Sequence, residues 1–167
     1  MSMTGYKDPH FFPEETLDNL FNPIKNQIPK GGDMQRLNVV VFILESFSME
    51  YFGFFNKDKD NGHYQGYTPF LDSLLENSYS FQYSFANGIR SVDSMPATFA
   101  GIPRYIEPYC YYLYASNTLQ GLPEMLRREG YITAFFHGAP NTTLGFKGFT
   151  HAIGFDSYYG NAEYGNT

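Results

Sequence analysis

Residues 37–46 read LNVVVFILES and contain the clearest strand pattern of the chain. Its first eight residues form a short, Val-rich run that is apolar on both faces apart from one Asn. Such a run is typical of a central strand in a parallel sheet that helices cover. A buried helix is the alternative, but it would need a longer run with less Val. We therefore predict a strand over residues 37–44, which ends at Glu45.

The rest of the chain alternates between helical and strand-like patterns. Thr68 and Pro69 open TPFLDSLLENS, for which we predict an amphipathic helix with Thr68 as N-cap and Pro69 at the first helical position. Further helices are predicted over residues 14–21, 93–100, 122–129 and 144–153, and strands over residues 79–86 and 131–136. Glycines at 130 and 154 are the expected helix stops. This order indicates an α/β domain with a mostly parallel sheet.

Composition limits the possible partners. The formal net charge of −6 argues against nucleic acid, because phosphate binding needs a basic face. An anionic small substrate stays possible, since a bound divalent cation reverses the local charge. The single cysteine, Cys110, cannot form an internal disulfide. No apolar run approaches the roughly 20 residues of a bilayer span, so we expect the chain as given to be soluble.

The domain organisation follows from the distribution of proline and glycine. Residues 1–36 are polar and contain four prolines and a Gly-Gly pair, so we interpret them as a leader or linker. Residues 37–167 carry all the strong patterns and form the predicted domain.

In parallel α/β sheets, ligands collect outside the carboxyl ends of the strands. That rule selects Glu45 after the first strand and His137 after the strand predicted over residues 131–136. A carboxylate fixed at a sheet edge suits a hard cation, although acids often follow strands for no functional reason. A histidine there could donate to a substrate oxygen, act as a general acid or bind metal, but a lone histidine is more often structural.

The second candidate region is NGIRSVDSMPATFAGIP, residues 87–103. Proline is best tolerated in a first helical turn, so Pro96 predicts a helix that starts near Asp93 as N-cap. Ser91 would then lie just ahead of the helix N-terminus, where free N–H groups favour an anion or an alkoxide. Arg90 could bind a phosphate or sulfate oxygen. The plain alternative is an ordinary helix start.

Taken in order, these segments resemble a known family. The stretches NVVVFILESFS, YTPFLDSLLENSYSFQYSFANG, RSVDSMPATFAGIP, LQGLPEMLRREGY, TAFFHGAPN and GFDSYYG are similar to the sulfatase-type catalytic domain of lipoteichoic acid synthases and related phosphoglycerol transferases. The resemblance covers residues 37–167. It implies the fold of the alkaline phosphatase superfamily, with a mostly parallel central sheet and helices on both faces.

The resemblance also implies a chemistry. A divalent cation, Mn²⁺ or Mg²⁺ and in some relatives Zn²⁺, supports attack by a Ser or Thr on a phosphodiester head group. By position, Glu45 matches the acidic metal ligand, and Ser91 matches both the nucleophile and a metal ligand. Arg90, His137 and Asn141 fall where the substrate binds. The substrate class is an anionic lipid or glycan head group of the bacterial cell envelope.

Two departures from the family pattern bear on these expectations. The synthases carry an aromatic residue and an arginine soon after the His-Gly element, where this chain reads NTTLGF from Asn141, so glycerophosphate itself is not fixed as the head group. The family completes its metal site with a downstream Asp-His pair that this chain lacks, so we interpret the chain as an N-terminal fragment that is inactive alone. Full-length relatives are membrane-anchored with the catalytic domain outside the cytoplasm.

Two alternative functions remain open. A sulfatase proper is one, although those enzymes use a Cys or Ser in a C/S-x-P-x-R context, where this chain has Asp93 and Met95. A non-catalytic sensor or binding domain on the same fold is the other. The oligomeric state has no signal in the sequence.

Overall fold

The computed structural model divides the chain into two units, Met1–Val40 and Val41–Thr167. The residues that it describes are 11–20, 31–32, 35–81, 83–104, 106–111, 115 and 117–165. Much of the predicted leader, residues 1–36, therefore lies outside the described residues, and its boundary stays a prediction. In the first unit, helix α1 (Glu14–Leu20) confirms the helix predicted over residues 14–21. Residue 21 lies outside the described residues.

The structure contradicts the strand predicted over residues 37–44. These residues form no regular secondary structure, and their side chains are exposed, Val40 to 74% and Phe42 to 79%. The residues predicted as a strand over 79–86 behave in the same way, with position 82 outside the described residues. A strand exists only where its N–H and C=O groups meet a partner. In the described part of the chain neither segment pairs with another strand, although its apolar pattern favours a strand.

The sheet of the second unit consists, among the described residues, of two parallel strands. Strand β1 (Ala134–Phe136) pairs with β2 (Ser157–Tyr159) in the register Ala134↔Ser157, Phe135↔Tyr158 and Phe136↔Tyr159. Helix α5 (Phe146–Ala152) lies between them in the chain, so a β-α-β unit is formed. The parallel arrangement predicted from the alternating pattern is confirmed here.

Strand β1 is shorter than the strand predicted over residues 131–136. The Thr133 backbone N–H and hydroxyl both donate to Asp156 Oδ2 at 2.8 Å, and the Asp156 N–H returns a hydrogen bond to Thr133. A side chain therefore takes over the pairing just before the ladder begins, and Tyr131 and Ile132 stay outside the strand.

The other helices follow the predicted pattern more closely. Helix α2 (Pro69–Leu75) has Pro69 in its first turn, and α4 (Leu122–Arg128) ends ahead of Gly130, which has a φ of 85°. A positive φ favours glycine, so the predicted stop is confirmed. Helices α3 (Ser91–Ala100) and α5 confirm the helices predicted over residues 93–100 and 144–153, with shifted bounds. The short α6 (Asn161–Tyr164) was not predicted.

The core of the second unit lies between α3 and α5. Helix α3 contributes Val92, Met95 and Phe99, which recur at helical spacing on one face. The other buried members of this cluster are Cys110, Phe146, Phe149 and Ile153. Edge-to-face contacts of Phe99 with Phe135 and Phe155 connect the cluster to β1. This packing fixes α3, and with it the residue at its N-terminus.

Candidate active site

The structure brings Glu45 and Ser91 together. The Ser91 hydroxyl donates to Glu45 Oε1 at 3.0 Å, although the two residues are 46 positions apart. Both side chains are exposed, so a substrate or an ion can reach them. Glu45 lies in a turn whose next residue, Ser46, has a φ of 59°. Non-glycine residues rarely adopt this left-handed conformation, which often marks a functional turn.

Ser91 occupies the first position of α3 and does not lie ahead of the helix, because α3 starts three residues earlier than an N-cap at Asp93 predicts. The N-cap is Arg90, with extended backbone angles, whereas Asp93 was expected in that place. Asp93 instead stands at the third helical position, and its carboxylate accepts the N–H groups of Ile89 and Arg90. Because this carboxylate reaches back over the helix start, the helix begins earlier than an N-cap at Asp93 would allow.

The position predicted for Pro96, in the first turn of the helix, is also wrong. It lies inside α3, as its sixth residue, and not in the first turn. A proline there cannot donate to the carbonyl of Val92, which costs one hydrogen bond of the helix. Tertiary burial compensates, since Pro96 is among the most deeply buried residues of the described chain.

Arg90 directly precedes the candidate nucleophile, Ser91, in the sequence. Its side chain is exposed. The first-turn N–H groups of a ten-residue helix add partial positive charge at the same place. An oxyanion beside Ser91 would thus meet a guanidinium and a helix N-terminus together.

His137 follows β1 directly, and its backbone N–H donates to the Tyr159 carbonyl at 2.8 Å. Its Nδ1 lies 3.0 Å from the Tyr158 hydroxyl, and its ring packs 5.0 Å from that of Phe146. Burial lowers the pKa of His137, which favours the neutral imidazole at pH 7. Among the described residues, its side chain therefore contacts Phe135 of β1, Tyr158 of β2 and Phe146 of α5, and not Glu45 or Ser91.

Asn141 is held by the C-terminal segment. Its Nδ2 donates to both carboxylate oxygens of Glu163, at 2.8 and 2.9 Å. This hydrogen bond is the main cause that lowers the pKa of Glu163 to about 2. Gly160 has room for no side chain here, because a Cβ would lie 2.1 Å from Asn141 Oδ1. The substrate-binding role of Asn141 stays a prediction, and these contacts give it a structural one.

The donor set at Glu45 and Ser91 suits a divalent cation. A carboxylate and a hydroxyl within 3.0 Å of each other are oxygen ligands of the kind that Mg²⁺ and Mn²⁺ prefer. In the described ranges no group of three or more His, Cys, Asp or Glu side chains converges on one point. These two residues therefore fit part of a cation's coordination shell.

Sequence reasoning missed Asp93 as a member of this region. The residue is 3% exposed, and its Oδ2 pairs with Arg104 Nη1 at 3.2 Å. An acidic residue three positions after an N-cap is a known helix-start pattern, so the signal was present. It was read as the cap itself because the start of the helix was placed three residues too late.

Two solved structures resemble this chain and define its fold class. A protein of the alkaline phosphatase superfamily from Vibrio parahaemolyticus matches with a TM-score of 0.53 and 26% identity, over 57% of this chain and 24% of that one. The lipoteichoic acid synthase LtaP from Listeria monocytogenes matches with a TM-score of 0.51 and 27% identity, over 63% of this chain and 26% of that one. The fold is therefore alkaline phosphatase- and sulfatase-like.

The chain belongs to the sulfatase family, whose family model matches residues 37–167. It spans about a quarter of the length of the two solved relatives. No curated protein matches it. Members of this superfamily are hydrolases and transferases that usually use divalent metals. Across the described residues, no helix has the length and apolar character needed to cross a bilayer.

Proposed function

We propose that this chain supplies the nucleophile and one metal ligand of a phosphodiester head-group transferase or hydrolase of the phosphoglycerol transferase type. The observation that carries the proposal is the 3.0 Å contact between Ser91 Oγ and Glu45 Oε1 at the start of α3. Membership of the sulfatase family and similarity to a lipoteichoic acid synthase support it. The rest of the catalytic domain completes the site.

In the proposed reaction, Ser91 Oγ attacks the phosphorus of the head group. The new P–O bond forms as the bond to the lipid or glycan alcohol breaks, and that alcohol leaves with the electron pair of the broken bond and takes up the proton that Ser91 Oγ releases. The phospho-Ser91 intermediate then passes its group to an acceptor hydroxyl or to water. Arg90 and the first-turn N–H groups of α3 stabilise charge on the non-bridging oxygens.

Glu45 and Ser91 would hold the divalent cation, Mn²⁺ or Mg²⁺ by preference and Zn²⁺ as the alternative. When bound, such a cation lowers the pKa of a ligated hydroxyl and neutralises phosphoryl charge. Glu45 has a second role that needs no metal, because it accepts the Ser91 hydrogen bond and so orients the hydroxyl.

His137 and Asn141 are proposed to contact the substrate. The Nδ1 of His137 faces Tyr158, so Nε2 is the atom proposed to serve the leaving group. The lowered pKa of His137 favours the neutral imidazole near neutral pH, and in the tautomer that donates from Nδ1 to the Tyr158 hydroxyl, Nε2 can accept the proton of an attacking acceptor. An anionic envelope lipid or glycan, an extracytoplasmic location and a membrane anchor in the full-length protein belong to the same proposal.

The nucleophile is tested by trapping the intermediate. Protein that contains the complete catalytic domain is incubated with Mn²⁺ and anionic phospholipids, quenched in acid and digested for mass spectrometry. We expect a phosphate-bearing adduct on the peptide that contains Ser91, and its mass identifies the head group. S91A should lack the adduct and lose turnover, while S91T should retain part of both. Turnover in S91A, or an adduct elsewhere, would remove Ser91 from this role.

A sulfatase activity is the second candidate, and the description of the matching family favours it. The same preparation separates the two when an aryl sulfate and a bis-aryl phosphodiester are compared. We expect hydrolysis of the phosphodiester to be faster, because Ser91 is followed by Val92, Asp93 and Met95 and not by the sulfatase Pro and Arg. A preference for the sulfate would make sulfatase activity the favoured function.

A further inference from the structure

Asp93 is, among the described residues, the buried carboxylate of this protein. It lies two positions after Ser91 and is 3% exposed. Burying a carboxylate is costly unless it is paired and hydrogen-bonded. Its place therefore needs a reason beyond the ordinary preference of acids for a first helical turn.

The contacts of Asp93 converge on the turn that leads into α3. One oxygen, Oδ2, accepts the N–H groups of Ile89 at 3.2 Å and Arg90 at 3.1 Å, and also pairs with Arg104 Nη1 at 3.2 Å. Arg104 is itself tied to the Ile106 carbonyl at 3.0 Å. The two residues that precede Ser91 are thus fixed by their backbone and cannot turn independently of the helix.

The other oxygen and the packing show how closely this position is set. Asp93 Oδ1 is buried and has no hydrogen-bond partner among the described residues. A Cβ at Gly88 would lie 2.3 Å from Asp93 Cβ, so only glycine fits opposite it. An unsatisfied buried oxygen lowers stability. A cap that served stability alone would gain nothing from this unsatisfied oxygen. A role in fixing the backbone of the neighbouring residues gives the buried carboxylate a purpose.

We propose that Asp93 is a positioning residue, which sets the start of α3 so that the Ser91 hydroxyl points at Glu45. The inference rests on the proposed function of Ser91, but its geometric part can be measured without turnover. Asp93 touches neither the substrate nor the nucleophile. It acts through the backbone of Ile89 and Arg90 and through Arg104.

The experiment follows the side-chain ¹³Cδ resonance of Glu45 in the ¹³C-labelled chain at pH 7, without metal. S91A removes the hydroxyl and defines the full displacement. D93N keeps the shape but loses the charge, and D93E keeps the charge but adds a methylene against Gly88. Asp72→Asn is the matched control, because Asp72 also accepts two backbone N–H groups, those of Gly53 and Phe54, at 3.1 Å each.

We expect both D93N and D93E to displace the Glu45 resonance by at least half of the S91A displacement, and Asp72→Asn to leave it in place. A wild-type resonance in D93N overturns the proposal. Displacement in D93N but not in D93E assigns the effect to charge and overturns it as well. Circular dichroism checks folding, and if D93N does not fold, D93E and Arg104→Gln decide by the same criterion.

A second readout separates this inference from the function on which it rests. A fluorophosphonate probe is applied with Mn²⁺ to the same substitutions in protein that contains the complete catalytic domain, and labelling of Ser91 is followed by mass spectrometry. We expect D93N to be labelled at least ten-fold more slowly than wild type and Asp72→Asn at the wild-type rate. If wild-type Ser91 is not labelled at all, its role as nucleophile fails, and the Glu45 resonance still decides whether Asp93 positions it.

Discussion

Asp156 offers the sharpest test of how the β-α-β unit is held together. Its Oδ2 accepts the N–H and the hydroxyl of Thr133 at 2.8 Å each, and its Oδ1 pairs with Arg127 Nε at 2.7 Å. These contacts join the residues that precede β1 and β2. We expect Asp156→Ala to destabilise the fold strongly, because Thr133 is buried and its N–H would lose its partner.

The magnitude follows from the contacts. A hydrogen bond contributes about 1 kcal/mol net, and an unsatisfied buried donor costs about 1–3 kcal/mol. The ion pair adds at most about 1 kcal/mol, since the Arg127 side chain is 48% exposed. The free energy of unfolding should therefore fall by about 2–3 kcal/mol. Urea unfolding at pH 7, followed by circular dichroism, measures it.

Glu124→Ala is the matched control. Glu124 pairs with Arg128 at 2.6 Å on the surface of α4, and such a pair contributes about 0.3–0.5 kcal/mol. If Asp156→Ala costs no more than Glu124→Ala, the carboxylate does not hold the strands and the reasoning is refuted.

The same variant has a defined pH dependence. Hydrogen bonds from Thr133, ahead of the charge of Arg127, lower the pKa of Asp156 below its usual value of 3.8. A lowered folded-state pKa means that the stabilisation is present above the unfolded pKa and is lost as the pH falls through the folded one. The difference between wild type and Asp156→Ala should stay constant from pH 7 to about pH 5 and shrink below about pH 4.

Three further predictions concern the core, the thiol and the metal. Phe149→Ala should lower the free energy of unfolding by about 3–5 kcal/mol in urea, since Phe149 is 1% exposed in the core, and a loss below about 1 kcal/mol would contradict this packing. Cys110 should react slowly with iodoacetamide at pH 8 in the folded chain, because burial, and then the charge of Asp93, raise its pKa to about 12, and rapid alkylation without denaturant would speak against its burial. Calorimetric titration of the chain with Mn²⁺ should give a Kd no tighter than about 10⁻⁴ M, weakened further by Glu45→Gln, because among the described residues only Glu45 and Ser91 of a ligand set converge. Tight one-to-one binding would show that other ligands exist.

Local patterns predicted the helices well. Helices α2 and α4 have a proline in the first turn, and a glycine with positive φ follows the end of α4. The signals that start and stop these helices therefore lie within a few residues of the helix ends. The start of α3 was predicted less well. It depends on a buried carboxylate that reaches back from Asp93 to Ile89 and Arg90, which the choice of N-cap from a single residue overlooked.

Strands were predicted less well than helices. The run over residues 37–44 has the composition of a central strand, yet its N–H and C=O groups find no ladder partner in the described chain. At β1 the strand is shortened because Asp156 satisfies Thr133 from a distance of 23 positions. A strand needs hydrogen bonds from another segment, so its pattern alone decides neither its existence nor its length.

Motifs, turn residues and helical periodicity are local properties of the chain, so they were enough to predict the family, the parallel β-α-β character and the residue types at the candidate site. The contact of Ser91 with Glu45, the hydrogen bonds from Asn141 to Glu163 and the burial of Asp93 behind the helix start could be seen only in the folded molecule. Each of these is a contact between segments far apart in the chain or a consequence of packing, and burial and long-range hydrogen bonds exist only once the segments have been brought together.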